Sequence, residues 1–148
     1  MNLRNYKKVK LLDLVDIERV KKNKIYDKGN IIIQVSASRG QILYLNHDTT
    51  VGSQYIVLTC KDNKIINTKY LYYIISDSLP EFLAKYQTGI NIQPEVFKYL
   101  NLYIHDDIET QKHIVNILDK LDEQTKKEQE LIEKFNDFKE YHLNKMFC

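Results

Sequence analysis

The stretch YLNLYIHDDIETQKHIVNILDKLDEQ, residues 99–124, changes periodicity part-way along. LNLYI (100–104) alternates apolar and polar side chains, the period-two pattern of a half-buried strand. From Ile108 the apolar residues recur three and four apart, the pattern of an amphipathic helix. Asp106 or Asp107 stands where an N-cap belongs, with acids near the positive end of the helix dipole. Downstream, Ile114, Leu118, Leu121, Thr125, Glu128, Ile132 and Phe135 follow a 4-3-4-3-4-3 spacing. That is a heptad seam with a polar centre at QTKKEQE (124–130), and Leu131, Phe138, Leu143 and Met146 widen its apolar face. The break contains no Gly or Pro, which argues against a hairpin at 124–130. An unbroken helix of about 35 to 40 residues would be a rod of roughly 55 Å. No other segment is long enough to cover it, so its stripe predicts a partner.

Upstream the chain reads as a compact α+β body. KVKLLDLVDI (8–17) begins with alternation and ends in an apolar run, and suits either a first strand or a short helix. KKNKIYDKGN (21–30) and HDTTVGS (47–53) read as loops. IIIQVSA (31–37), ILYLN (42–46) and QYIVLTC (54–60) read as strands, separated by a turn at SRGQ (38–41) and closed by KDNK (61–64). These runs predict a small antiparallel or mixed sheet. NTKYLYYIISDSL (67–79) has helical spacing with Thr68 as N-cap. A second helix start is expected at Pro80, and FLAKYQTG (82–89) ends in Gly89 as C-cap. Pro94 opens a short helical turn before the last strand. The expected division is a body over 1–107 and a long helix over 108–148.

The net charge of +2 conceals an asymmetry. Residues 1–105 carry 15 Lys/Arg against 9 Asp/Glu, whereas residues 106–148 carry 7 Lys against 11 acids. A basic body with an acidic helix suggests two partners of different kinds. Tyr occurs 11 times and Trp not at all, a bias that suits partly wet surfaces. No run approaches the roughly 20 apolar residues of a membrane span, and the N-terminus lacks the pattern of a secretory signal. Cys60 and Cys148 have no metal-type spacing and read as free thiols in a reducing cytoplasm, with a disulfide the lesser alternative.

Four stretches carry a family resemblance. KLLDLVDIERVKK (10–22), INTKYLYYIIS (66–76), GINIQPEVFKYLNLYI (89–104) and ETQKHIVNILDKLDE (109–123) with EYHLNKMF (140–147) occur in an order that resembles the specificity subunits of type I restriction–modification systems. The family usually carries Pro-Pro before the helix, where this chain has His105-Asp106-Asp107. Full-length members have two target recognition domains and two spacer helices, so this sequence looks like a half-length form. The resemblance implies a non-catalytic, cytoplasmic DNA-binding subunit without cofactor or metal. Its implied partners are double-stranded DNA, the adenine methyltransferase (modification) subunit and, where present, a restriction subunit. A half-length form would complete itself as a homodimer through the helix, with Ile114, Leu118, Leu121, Ile132, Phe135 and Phe138 at the interface.

DNA binding separates phosphate neutralisation from base readout. Lys7, Lys8, Lys10, Lys21, Lys22, Lys24 and Lys28 form the candidate phosphate pool. Base readout is expected first from SASRGQ (36–41), with Ser36, Ser38, Arg39 and Gln41. Arg suits guanine O6/N7, Gln suits adenine N6/N7, and Gly40 lets the backbone approach. KYQTG (85–89), with Lys85, Tyr86, Gln87 and Thr88, is the second candidate and NHDTT (46–50) a weaker third. Tyr70, Tyr72 and Tyr73 fall at helical spacing among Leu71, Ile74 and Ile75, and read as core.

Catalysis finds little support. The chain has no Gly-rich phosphate loop and no G-x-G-x-x-G. Pro80 and Pro94 stand alone, so the aromatic-flanked Pro-Pro signature of adenine methyltransferases is missing. His47, His105, His113 and His142 lack partners at metal-ligand spacing, and Cys60 reads as a small core residue. The competing reading is an adaptor that pairs with other specificity or methyltransferase subunits without reading DNA.

Overall fold

The computed structural model describes residues 3–37 and 39–147; Ser38 and Cys148 lie outside them. The architecture is α+β, with small antiparallel sheets, short helices and a long C-terminal helix. The chain divides into two compact units, Met1–His113 and Ile114–Cys148.

In the first unit, residues 6–19 resolve the strand-or-helix ambiguity by forming both. Strand β1 (Tyr6–Lys10) leads through one helical turn, α1 (Leu11–Leu14), into β2 (Val15–Arg19). The segments expected as loops contain two-residue strands, β3 (Ile25–Tyr26) and β6 (Thr49–Thr50), which pair with each other. Strands β4 (Ile31–Gln34), β5 (Ile42–Tyr44) and β7 (Tyr55–Cys60) join β2 in a four-stranded antiparallel sheet of order β2-β7-β4-β5. Strand β8 (Asn101–His105) pairs with β1 as a separate ribbon.

The continuous apolar runs in β4 and β7 follow from burial on both faces of the sheet. Ile32 pairs with Val57, and both join Tyr26 and Leu45 in one cluster. Ile31, Ile33, Ile56 and Leu58 alternate with them and are equally buried. Helix α2 (Thr68–Tyr86) buries Leu71, Ile75, Leu79 and Leu83 and packs against β5.

Helix α2 departs from expectation at three points. Its N-cap is Asn67, whose Oδ1 accepts from the Lys69 and Tyr70 amides at 3.0 Å each. The Thr68 hydroxyl instead meets the Tyr44 hydroxyl at 3.2 Å. The helix also runs through Pro80, because buried Leu79, Phe82 and Leu83 hold its packed face on both sides of an exposed proline. Finally, its C-cap is Gln87 at φ −81°, so no left-handed glycine is needed and Gly89 lies beyond the end.

Helix α3 (Ile108–Phe147) is unbroken through the polar stretch at 124–130. Asp107 caps it: Oδ2 accepts from the Thr110 amide at 3.0 Å and the Thr110 hydroxyl at 2.6 Å, and Oδ1 from the Glu109 amide. The Thr110 hydroxyl, then the amides, hold the Asp107 carboxyl below its ordinary range. A depressed carboxylate stabilises the fold above its unfolded pKa of about 3.9, and that contribution is lost as pH falls through the folded value. Asp107→Ala is therefore expected to lower the melting temperature at neutral pH. The gap from the wild-type chain should close below about pH 4 in a thermal-melt series. A gap that persists at acid pH would contradict the cap assignment.

The second unit is helical from Ile114 through Phe147, about 50 Å at 1.5 Å per residue. Leu121, Ile132, Phe135 and Phe138 are exposed, the last three by 59–64%, and Ile114 and Leu118 are half-buried. Among the described residues no helix is long and apolar enough to cross a membrane.

Candidate nucleic-acid interface

Two loops meet at the C-terminal end of α2. Residues 35–37 follow β4, residues 39–41 precede β5, and residues 87–93 follow α2. The Ala37 amide donates to Asn91 Oδ1 at 2.8 Å, and the Ile92 amide to the Val35 carbonyl at 2.8 Å. Ala37 sits at φ +49°, a left-handed conformation that needs such support in a residue with a Cβ. Gly40 lies at φ +84°, and a Cβ there would fall 2.2 Å from Leu83 Cδ1 and 3.2 Å from Leu79 Cδ2. Glycine therefore lets this loop lie directly on α2.

Arg39 and Gln87 consequently line one open cleft of about 500 Å³, with Pro80, Leu83, Ala84 and Gly89 as its apolar wall. Arg39 is exposed and makes no hydrogen bond or ion pair among the described residues. Gln87 Nε2 donates to the Gly89 carbonyl at 2.9 Å, which shapes the second loop. The guanidinium at the mouth of this cleft is the chemistry of guanine-edge recognition, while the Gln87 carboxamide nitrogen is held by the Gly89 and Ile90 carbonyls and positions the second loop. The first and second candidate stretches, distant in sequence, thus contribute to one surface.

The remaining candidates are placed differently. Ser36 is exposed, and its carbonyl accepts from Gln34 Nε2. Gln41 is exposed immediately before β5, and its carbonyl accepts from the Gln34 amide. Ser38 falls outside the described residues. Thr88 is exposed. Lys85 lies over the Tyr86 ring, which stacks on Tyr99 with centroids 5.4 Å apart. The lysine pool divides. Lys24 bonds Glu18 at 2.6 Å, Lys21 approaches the same carboxylate at 3.7 Å, and Lys7 pairs with Asp106. The Lys24 hydrogen bond is the main reason Glu18 is held below its ordinary range. Lys22 and Lys28 border two other hollows. His47 is exposed beside the β3–β6 ribbon.

Other polar residues hold the body together. Gln111 is fully buried and ties three segments: its Oε1 accepts from the Asn67 amide at 2.8 Å, and its Nε2 donates to the Ile65 and His105 carbonyls. Tyr70 is core, as its spacing predicts, and Tyr72 and Tyr73 are half-buried beside it. The Tyr70 hydroxyl accepts from the His105 amide at 2.9 Å and meets His105 Nδ1 at 2.7 Å. His105 Nε2 lies 3.3 Å from the Leu3 carbonyl, which only accepts, so the proton belongs on Nε2 and Tyr70 donates to Nδ1. Burial pushes the Tyr70 phenol up, and also the half-buried Cys60 thiol, which disfavours a nucleophilic thiolate. Among the described residues no three His, Cys, Asp or Glu converge as metal ligands would.

A family model described as the type I restriction modification DNA specificity domain matches residues 5–136. The chain belongs to the type I DNA specificity family. Its fold is shared with solved members at low identity. The S subunit of a type I system from M. genitalium superposes with a TM-score of 0.70 at 18% identity, over 83% of this chain and 41% of that one. A chain from a structural study of complex assembly and conformational transition in the type I R-M system gives 0.66 at 17%, over 84% and 40%. The HsdS subunit from Thermoanaerobacter tengcongensis gives 0.60 at 14%, over 84% and 39%. The chain thus spans about two fifths of those solved chains. No curated protein matches it. The matched span includes Arg39 and Gln87 and runs through most of α3.

Proposed function

We propose that this chain reads one half of a bipartite DNA target through the Arg39–Gln87 cleft. It pairs with a second copy through α3 and presents adenine methyltransferase subunits to the two half-sites. Catalysis belongs to those subunits. The observation that carries the reading is the specificity-domain match over a body whose two candidate readout loops converge.

The dimer reading rests on the uncovered stripe of α3 and its polar centre. Antiparallel two-fold pairing about that centre sets Leu121 against Ile132 and Leu118 against Phe135, and it leaves Thr125 facing Glu128. A shift by one heptad places Glu128 or Thr125 against an apolar seam residue. In-register parallel pairing sets Glu128 against Glu128 of the other copy, a like-charge contact in the seam. Burying a carboxylate in either way is costly, so the antiparallel register is selected. Two readers related by a two-fold axis recognise inverted half-sites.

Adenine-methylation mapping tests the reading in cells that express this chain with its methyltransferase subunit, against cells lacking the chain. The expected outcome is a new split, inverted-repeat motif. An asymmetric motif would mean pairing with a different half, and loss of an existing motif without a new one would favour the adaptor reading. The helix contact has its own test. Phe135→Glu is expected to weaken self-association at least about 100-fold, since it removes a buried aromatic and inserts a charge in both copies. Sedimentation equilibrium reads this directly; unchanged dimer mass would remove α3 as the interface.

A further inference from the structure

We infer that the outward face of the β1–β8 ribbon, continued by the Tyr86–Tyr99 stack, is a sequence-independent track for the DNA phosphate backbone. This rests on the DNA reading above and adds a second contact surface to it.

The ribbon has two unlike faces. Leu102 and Ile104 of β8 are buried, so Asn101 and Tyr103 point outward. Opposite them in register stand Lys10 and Lys8 of β1. Tyr6 closes the row, its ring edge-on to Tyr103 with centroids 6.0 Å apart, and both residues are 57% exposed. The row continues past Asn101, whose Nδ2 donates to the Tyr99 carbonyl. Tyr99 is 51% exposed and stacks on Tyr86, which immediately precedes Gln87 of the readout cleft. Lys98 lies over Tyr99 at 4.9 Å.

The charge pattern selects the occupant. Lys7, Lys21 and Lys24 are paired with carboxylates, whereas Lys8 and Lys10 have no ion pair among the described residues. The row on the ribbon carries lysines, tyrosines, asparagine and, opposite Tyr6, the half-buried His105, and no acid. Lys8 and Lys10 stand about 6.8 Å apart along the strand, far enough for their ammonium groups to reach separate phosphates of one DNA strand. Lysine ammonium, tyrosine hydroxyl and asparagine amide are all phosphate donors, and such contacts carry no sequence information. Lysine is depleted at protein interfaces, which favours nucleic acid over a protein on this face.

The test is a salt titration of the full-length chain by fluorescence anisotropy. It uses two duplexes of equal length, one carrying the motif found by methylation mapping and one scrambled. The K8A/K10A double variant should reduce the slope of log K against log salt by about 1.8, and weaken both duplexes roughly 10- to 100-fold at 0.1 M salt. The ratio between the duplexes should stay unchanged. K8R/K10R should restore the slope, and K126A/K127A, on α3, should leave it alone. Matching melting temperatures exclude a folding defect in these exposed variants. An unchanged slope, or a loss confined to the motif duplex, overturns the track while leaving the DNA reading in place. An unchanged slope with loss of methyltransferase co-purification would make the ribbon a protein contact, and also overturns it. A wild-type chain that ignores both duplexes at low salt overturns the DNA reading and the track with it.

Discussion

Gln111→Leu is expected to destabilise the folded chain by roughly 3–5 kcal/mol, a large part of a typical domain's stability. The substitution nearly preserves volume, so packing is not the issue. It orphans the Asn67 amide and the Ile65 and His105 carbonyls, three backbone groups that meet on one fully buried carboxamide. A buried unsatisfied group costs about 1–3 kcal/mol, and partial relaxation holds the sum below its maximum. Asn67 is also the N-cap of α2, so the same change loosens the start of that helix. Urea unfolding followed by circular dichroism would show the midpoint fall with little change in slope. A shift below about 1 kcal/mol would mean that water replaces the carboxamide, and the bridge would lose its assigned role.

The second large effect is expected at Gly40. Gly40→Ala places a Cβ at φ +84° and 2.2 Å from Leu83 Cδ1, so the backbone cost and the clash act together. If the loop stays on α2, the combined cost is about 2–4 kcal/mol. If the loop lifts off, stability is retained and Arg39 leaves the cleft. Both routes impair recognition, and Arg39→Ala separates them: it should abolish discrimination between motif and scrambled duplexes without moving the melting temperature. The expected result for Gly40→Ala is loss of discrimination with at least one of the two signatures, a lower melting temperature or an Arg39→Ala-like profile. A variant that melts and discriminates like the wild-type chain would refute the loop's placement.

The legibility of this fold in its sequence follows range. The strands at 31–34, 42–44 and 55–60, the turn of helix after Pro94 and the last strand all lie where period and turn residues predict them. The two-residue ribbon β3–β6 does not, because two residues show no period and the pairing depends on Tyr26 joining a cluster with Val57. Pro80 misled for a related reason: its local preference is real, but burial of neighbouring α2 residues outweighs it. Asn91 carried no local signal at all. Its role as acceptor for Ala37 arises from a contact spanning 54 residues. Gln111, on a helix face that reads as polar, faces the body interior across a separation of 44 residues from Asn67.

The same division holds for the interface. Arg39 and Gln87 were legible as residue types suited to base edges, since that suitability is a property of the side chains themselves. Their presence on one cleft was decided by Gly40 lying on α2 and by the Ala37–Asn91 tie. The lysine pool was legible as charge, but only the tertiary structure distinguishes Lys8 and Lys10 from the lysines held by Glu18 and Asp106. By itself, the sequence determined what depends on near neighbours: the helix that begins at Ile108, its apolar stripe and polar centre, and the α+β body before it. The tertiary structure decided which distant side chains share a surface and which charges are already neutralised. Those outcomes depend on through-space distances that no local periodicity encodes.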